Sequence, residues 1–228
     1  MIVRSLALSA AALLFLTLNQ SVARADEVHF TGTAGGCFVF DGKCLPPAGG
    51  QAQTTSLLGL HYHGSAFDVT TLNGFAGVGS LGNPGSNFNN FGSLTLDGTP
   101  NDYTGQTFTL RITFILPAGT AREGSEPPGE NFDVLTANMF GSVANANVGG
   151  VQIHFCCEST RNFTFDGGTF SVTLNPIDIT PGGGPVALTG NIRATTAPVP
   201  EPATLVLLGT GLAGVAAKIR KRRRSARK

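Results

Sequence analysis

The chain has 228 residues, of which 41% are apolar, 13% charged, 31 glycine and 16 phenylalanine, with no tryptophan. That mix excludes a coiled coil and disfavours a helical bundle, yet leaves enough apolar mass for one core. The formal net charge of +1 hides a division: eight of the 15 Lys and Arg lie within 218–228, while residues 26–202 carry 14 acids and five bases, a net charge of −9, so the body lacks the basic patch that a nucleic-acid partner requires.

In chain order, Arg4 precedes a short apolar run over residues 6–18, and Ala23-Arg24-Ala25 follows as a small-x-small site. Residues 1–25 therefore read as a cleaved N-terminal signal peptide, the run being too short to prefer a membrane span. The body, 26–193, repeats a period of two. Phe108, Leu110, Ile112, Phe114 and Leu116 alternate with Thr107, Thr109, Arg111 and Thr113. Phe170, Val172 and Leu174 alternate with Thr169, Ser171 and Thr173, and Phe163 and Phe165 with Asn162 and Thr164. Val186, Leu188 and Ile192 continue the alternation, and further strand candidates are 28–31, 37–40, 57–63, 67–71, 91–96, 134–140 and 151–155. Turns such as Asp41-Gly42, Asp97-Gly98 and Asp166-Gly167-Gly168 separate them. The expected fold is all-β, an antiparallel β-sandwich or jelly roll with a phenylalanine-rich core. Only 133–143 carries a helical alternative. Residues 123–130 read as an exposed loop and 194–199 as a linker.

Four cysteines in an exported chain predict disulfides: Cys37, Cys44, Cys156 and Cys157. A vicinal Cys156–Cys157 bridge is disfavoured because adjacent strand residues point to opposite faces. A local Cys37–Cys44 bridge and long-range bridges both remain open, with the preference for long-range ones, which close loops worth roughly 4–5 kcal/mol in the chain-entropy relation. The spacing lacks the usual C-x2–4-C pairs of a zinc site, and no metal or other cofactor is expected.

His61 and His63 share a strand face and recur with His154 as a weak metal-dependent hydrolase alternative, without an evident third ligand. Asp97, Asp102 and Asp166 lie in Gly- and Asn-rich loops but do not form a D-x-[DN]-x-[DN]-G calcium loop. Glu123, Glu126 and Glu130 sit in a Pro/Gly loop rather than a cleft, which disfavours the paired carboxylates of a glycosidase. The two G-x-G-x-x-G stretches, 77–82 and 209–214, lack the strand-to-helix setting of a dinucleotide site. No G-x-S-x-G elbow occurs. The chain is therefore expected not to be an enzyme. A stacking-type sugar platform is weakened by having only Tyr62 and Tyr103 and no tryptophan.

The last 29 residues carry the most specific signal. Pro200-Glu201-Pro202 is followed by 15 uncharged residues, 203–217, and then the basic run 218–228. At about 1.5 Å per residue such a helix spans about 22 Å against a hydrocarbon core of ~30 Å. It makes a single but short transmembrane helix whose basic flank stays cytoplasmic. Two prolines keep the preceding triplet extended, a backbone that a protease-like cleft can grip. The combination resembles the PEP-CTERM sorting signal. The resemblance implies recognition of Pro200, Glu201 and Pro202 by an exosortase, a membrane-embedded processing enzyme. It also implies a transient inner-membrane anchor with the body in the periplasm, then release to the cell surface or matrix, in association with exopolysaccharide or biofilm. A non-catalytic glycan-binding β-sandwich is the alternative role for the body.

Overall fold

A computed structural model describes residues 27–39, 44, 46–47, 50, 52–79, 88–124, 129–155, 159–197 and 212. The signal peptide, the sorting triplet and, apart from Leu212, the apolar helix expected at the ends fall outside these residues. All described residues except Leu212 belong to one compact unit, Asp26–Ala197. Among them the strands are, in chain order, β1 (His29–Val39), β2 (Thr54–Leu57), β3 (Leu60–His63), β4 (Ser65–Thr70), β5 (Phe75–Val78), β6 (Ser93–Leu96), β7 (Asn101–Asp102), β8 (Thr107–Leu116) and β9 (Ala121–Arg122). They continue as β10 (Phe132–Phe140), β11 (Ser142–Asn145), β12 (Val148–Gly149), β13 (Val151–His154), β14 (Thr160–Phe165), β15 (Gly168–Leu174), β16 (Ile177–Ile179), β17 (Val186–Ala187) and β18 (Gly190–Thr196).

The named strand pairs are all antiparallel. A six-stranded sheet runs β16-β13-β10-β8-β1-β4 and a five-stranded sheet β5-β18-β15-β14-β9; a four-stranded sheet, β17-β6-β3-β2, and a small β12-β11-β7 sheet complete the set. The six-stranded sheet forms one layer. Its inner face meets the five-stranded sheet through Phe30 on Phe170 at 4.8 Å and Phe114 on Phe163 at 5.0 Å, ring centre to ring centre. It meets the four-stranded sheet through Tyr62 on Phe108 at 5.0 Å. The architecture is sandwich-like, with a phenylalanine-rich core between the layers.

Period-two patterning is realised most cleanly in β8. Phe108, Leu110, Ile112 and Phe114 are buried, but Leu116 is exposed. The register against β1 shifts between Thr31 and Gly32, pairing Thr31 with Leu116 and Gly32 with Phe114. That irregularity takes the strand's end out of the core alternation.

Three expectations change, and the helical alternative for 133–143 falls away in favour of the strand expected at 134–140. The candidates 28–31 and 37–40 are one strand, β1, running through the glycines between them. The inward positions Gly32 and Gly36 leave room for neighbouring rings: a Cβ at Gly36 would lie 2.4 Å from Phe108 and one at Gly32 2.4 Å from Phe67. Glycine here is a seat for aromatics, not a strand break. The candidate 57–63 is instead the β2–β3 hairpin, turning at Leu58 and Gly59, both at positive φ (53° and 85°). The segment 133–143 is strand, β10 leading into β11, because its inward set of Asp133, Leu135, Ala137 and Met139 repeats every second residue. Finally, β18 extends to Thr196, three residues into the stretch expected to be linker.

Candidate functional site

The expected long-range linkage of Cys37 is corrected: Cys37 bonds to Cys44, seven residues away, with Cα atoms 6.2 Å apart. Strand alternation explains this. Phe38 and Gly36 point into the core, so Cys37 lies on the outer face, turned away from the opposing layer. Cys156 and Cys157 fall outside the described residues, as do Pro200, Glu201 and Pro202.

The histidines do not assemble. His61 and His63 lie on the outward side of β3, alternating with the buried Leu60 and Tyr62. His61 Nε2 lies 3.0 Å from Asp97 Oδ2 across the β3–β6 pair, and both groups are solvent-accessible. His154 is on β13, in a different sheet. No three His, Cys, Asp or Glu side chains converge among the described residues. The three loop aspartates also have separate local tasks. Asp97 faces His61, Asp102 accepts a hydrogen bond from the Thr104 N–H at 2.9 Å, and Asp166 donates its backbone N–H to the Ala118 carbonyl at 3.0 Å. The Thr104 backbone bond, then its side-chain bond, hold the Asp102 carboxyl below the usual aspartate range. Glu123 is exposed and Glu130 half-buried, while Glu126 lies outside the described residues.

Both tyrosines are buried and neither offers a ring to solvent. The Tyr62 hydroxyl donates to the Phe91 carbonyl at 2.9 Å, and the Tyr103 hydroxyl donates to the Leu58 carbonyl. Burial pushes the Tyr62 phenol far above its ordinary range; Tyr103 is raised by burial and then by the negative charge of Asp97. The exposed aromatic side chains among the described residues are Phe75, Phe88 and Phe140.

Phe75 and Phe140 sit on different sheets. Phe75, on β5, belongs to the outer face of the five-stranded sheet. There the cross-strand register places Thr160, Thr173 and Asn191 in one row, and Asn162, Ser171, Arg193 and Phe75 in the next. Two pairs in this array are already engaged: Thr160 bonds Thr173 at 2.9 Å, and the Arg193 guanidinium lies 5.4 Å from the Phe75 ring centre. Phe140, 42% exposed, ends β10 on the outer face of the six-stranded sheet. It stands opposite Gln152, which stands opposite Asp178; one register step away, Asn138 stands opposite His154. The His154 ring meets Phe140 edge-on at 5.7 Å.

Sequence reasoning missed a buried ionic group. Asp133 is 2% exposed and points between the layers from β10. Its Oδ2 lies 2.6 Å from Arg161 Nε on β14 and its Oδ1 3.2 Å from Arg122 Nη1 on β9. Both arginines belong to the opposing sheet, so the three residues tie one layer to the other. The signal was an aspartate at an inward position of a period-two strand, obscured by the helical alternative for 133–143.

With this geometry in place, comparison with known proteins adds one positive finding. Residues 198–223 match the family model for the PEP-CTERM protein-sorting motif. No curated protein and no solved structure matches the chain. The motif is the recognition signal of an exosortase and marks the chain as an exported protein sorted at the membrane.

Proposed function

We propose that this is a structural protein of the cell surface or extracellular matrix, associated with exopolysaccharide or biofilm. On this reading its C-terminal segment is an address removed on delivery, and its body acts without catalysis. The sorting motif at 198–223 carries the reading. The apolar stretch 203–217 would anchor the chain transiently and the basic run 218–228 would hold its end in the cytoplasm. The body beyond the membrane is a β-sandwich with an acidic, hydroxyl-rich sequence, a composition compatible with a hydrated polysaccharide. The metal-dependent hydrolase is the weaker reading: His61 faces Asp97 rather than a third ligand, and His154 is on another sheet.

The test is the mature C-terminus. Mass spectrometry of protein from the native host is expected to show an end at or near the 200–202 triplet, with the arginine-rich tail gone. In a strain lacking the exosortase the tail should remain and the protein should stay with the membrane fraction. Identical tail-bearing products in both strains would overturn the proposal.

A further inference from the structure

We propose that Phe140, with Gln152, His154, Asp178 and Asn138, forms a binding site for a neutral pyranose polymer on the outer face of the six-stranded sheet. This names a ligand class for the exported body and relies on the export reading only in expecting an extracellular polymer.

The argument begins with placement. Met139, Val151, Ile153, Ile177 and Ile179 are buried, so strand alternation puts Phe140, Gln152, His154 and Asp178 together on the outward side of three adjacent strands. Strands lie about 4.8 Å apart, so the row from Phe140 through Gln152 to Asp178 spans roughly 10 Å, the scale of two linked sugar rings. The chemistry is matched to a pyranose. One face of the sugar ring presents C–H groups, and the Phe140 ring, 42% exposed, supplies the aromatic surface on this face that can attract them. The other atoms around the ring are hydroxyls. Gln152 can both donate and accept, and the Asp178 carboxylate can accept from two neighbouring hydroxyls at once. His154 packs beside Phe140 with ring centres 5.7 Å apart and planes tilted 68°, so the two rings are not stacked on each other.

Charge selects among polymers. The group contains a carboxylate and, among the described residues, no Lys or Arg. The nearest base in register on this face, Arg111, stands opposite Val134, four residues along β10 from Asn138, with its guanidinium 3.8 Å from the Phe132 ring centre. The body carries a net charge of −9. An acidic polysaccharide would meet repulsion, and a neutral one would not. The five-stranded sheet offers a poorer platform because Arg193 already lies over Phe75.

The experiment uses the exported protein and the polysaccharide secreted by the native host, separated by anion exchange into neutral and acidic fractions. Native gels containing each fraction are run with wild type, Phe140→Ala, Gln152→Ala and Phe75→Ala, and thermal melting checks that each variant is folded. Wild type should be retarded by the neutral fraction. Loss of the stacked ring should weaken retardation about tenfold, and Gln152→Ala should also weaken it. Phe75→Ala should behave as wild type. No retardation by the neutral fraction, stronger retardation by the acidic fraction, retardation unchanged in Phe140→Ala and Gln152→Ala, or equal loss in Phe75→Ala would each overturn the site. Binding is read on purified protein, so this outcome is independent of whether the exosortase processed it.

Discussion

Tyr62 and Tyr103 show how a residue's chemistry follows from its neighbours. Each buries its ring and spends its hydroxyl on a backbone carbonyl, of Phe91 and Leu58 respectively. The Leu58 carbonyl is also bonded by the Asn101 side-chain amide at 3.1 Å, which fastens a leucine held at positive φ in the β2–β3 turn. Gly92, at φ 110°, leaves the space Tyr62 occupies, since a Cβ there would lie 2.2 Å from the tyrosine ring. The raised phenol pKa values have a consequence for stability. The native state holds its phenol protons to higher pH than the unfolded chain, which releases them near pH 10, so this contribution is complete below about pH 10 and declines as pH rises beyond it. With no tryptophan present, the phenolate absorbance of two tyrosines can be followed directly. The Tyr62 phenolate should be absent around pH 11 while the sheets persist and should emerge with the loss of β-sheet circular dichroism, and Tyr103 should titrate above the ordinary phenol range. Ordinary titration near pH 10 in an intact fold would contradict the burial argument.

At the scale of elements, the alternating segments were legible and the glycine-containing ones were not. β8 and β15 announce themselves because every second side chain is large and apolar. β1 does not, because Gly32 and Gly36 have no side chain of their own and instead seat Phe67 and Phe108, which arrive from β4 and β8. The β2–β3 hairpin was hidden for a related reason: its turn begins with Leu58, a residue that reads as strand. The disulfide near the end of β1 yields a quantitative expectation. A bridge seven residues in span closes a loop worth roughly 2–3 kcal/mol in the chain-entropy relation, against about 4–5 kcal/mol for a loop of more than a hundred. Urea unfolding of the Cys37→Ser, Cys44→Ser double variant should show a loss of about 2–3 kcal/mol. A loss near the larger figure would mean that these cysteines pair with distant partners.

At the scale of the molecule, the chain repeatedly changes layer. It passes from β4 to β5, from β8 through β9 to β10, and from β13 through β14 and β15 to β16. The layers are held by phenylalanine packing and by Asp133 with Arg122 and Arg161. Removing the carboxylate leaves two guanidinium groups without their counter-charge, one of them with a side chain only 18% exposed. Asp133→Ala should therefore cost about 3–5 kcal/mol, a large share of a typical domain's stability. Replacing Asp133, Arg122 and Arg161 together by apolar residues should cost much less, because no buried charge is then left unpaired. Denaturant midpoints of the single and triple variants measure the difference; equal losses would show that the ionic tie is incidental to the layer contact.

The sequence by itself determined the class of fold and the sorting motif, because both are written in short-range patterns: alternation every second residue, and a proline-flanked triplet before an apolar run and a basic end. Tertiary structure alone decided what depends on register and layer contact. It joined β1 through its glycines, kept the Cys37 bridge local, turned both tyrosines inward and set Asp133 against arginines from the other sheet. It also placed Phe140, Gln152 and Asp178 in one row. Residues from three strands become neighbours only when backbone hydrogen bonds align those strands, and no local pattern records that alignment.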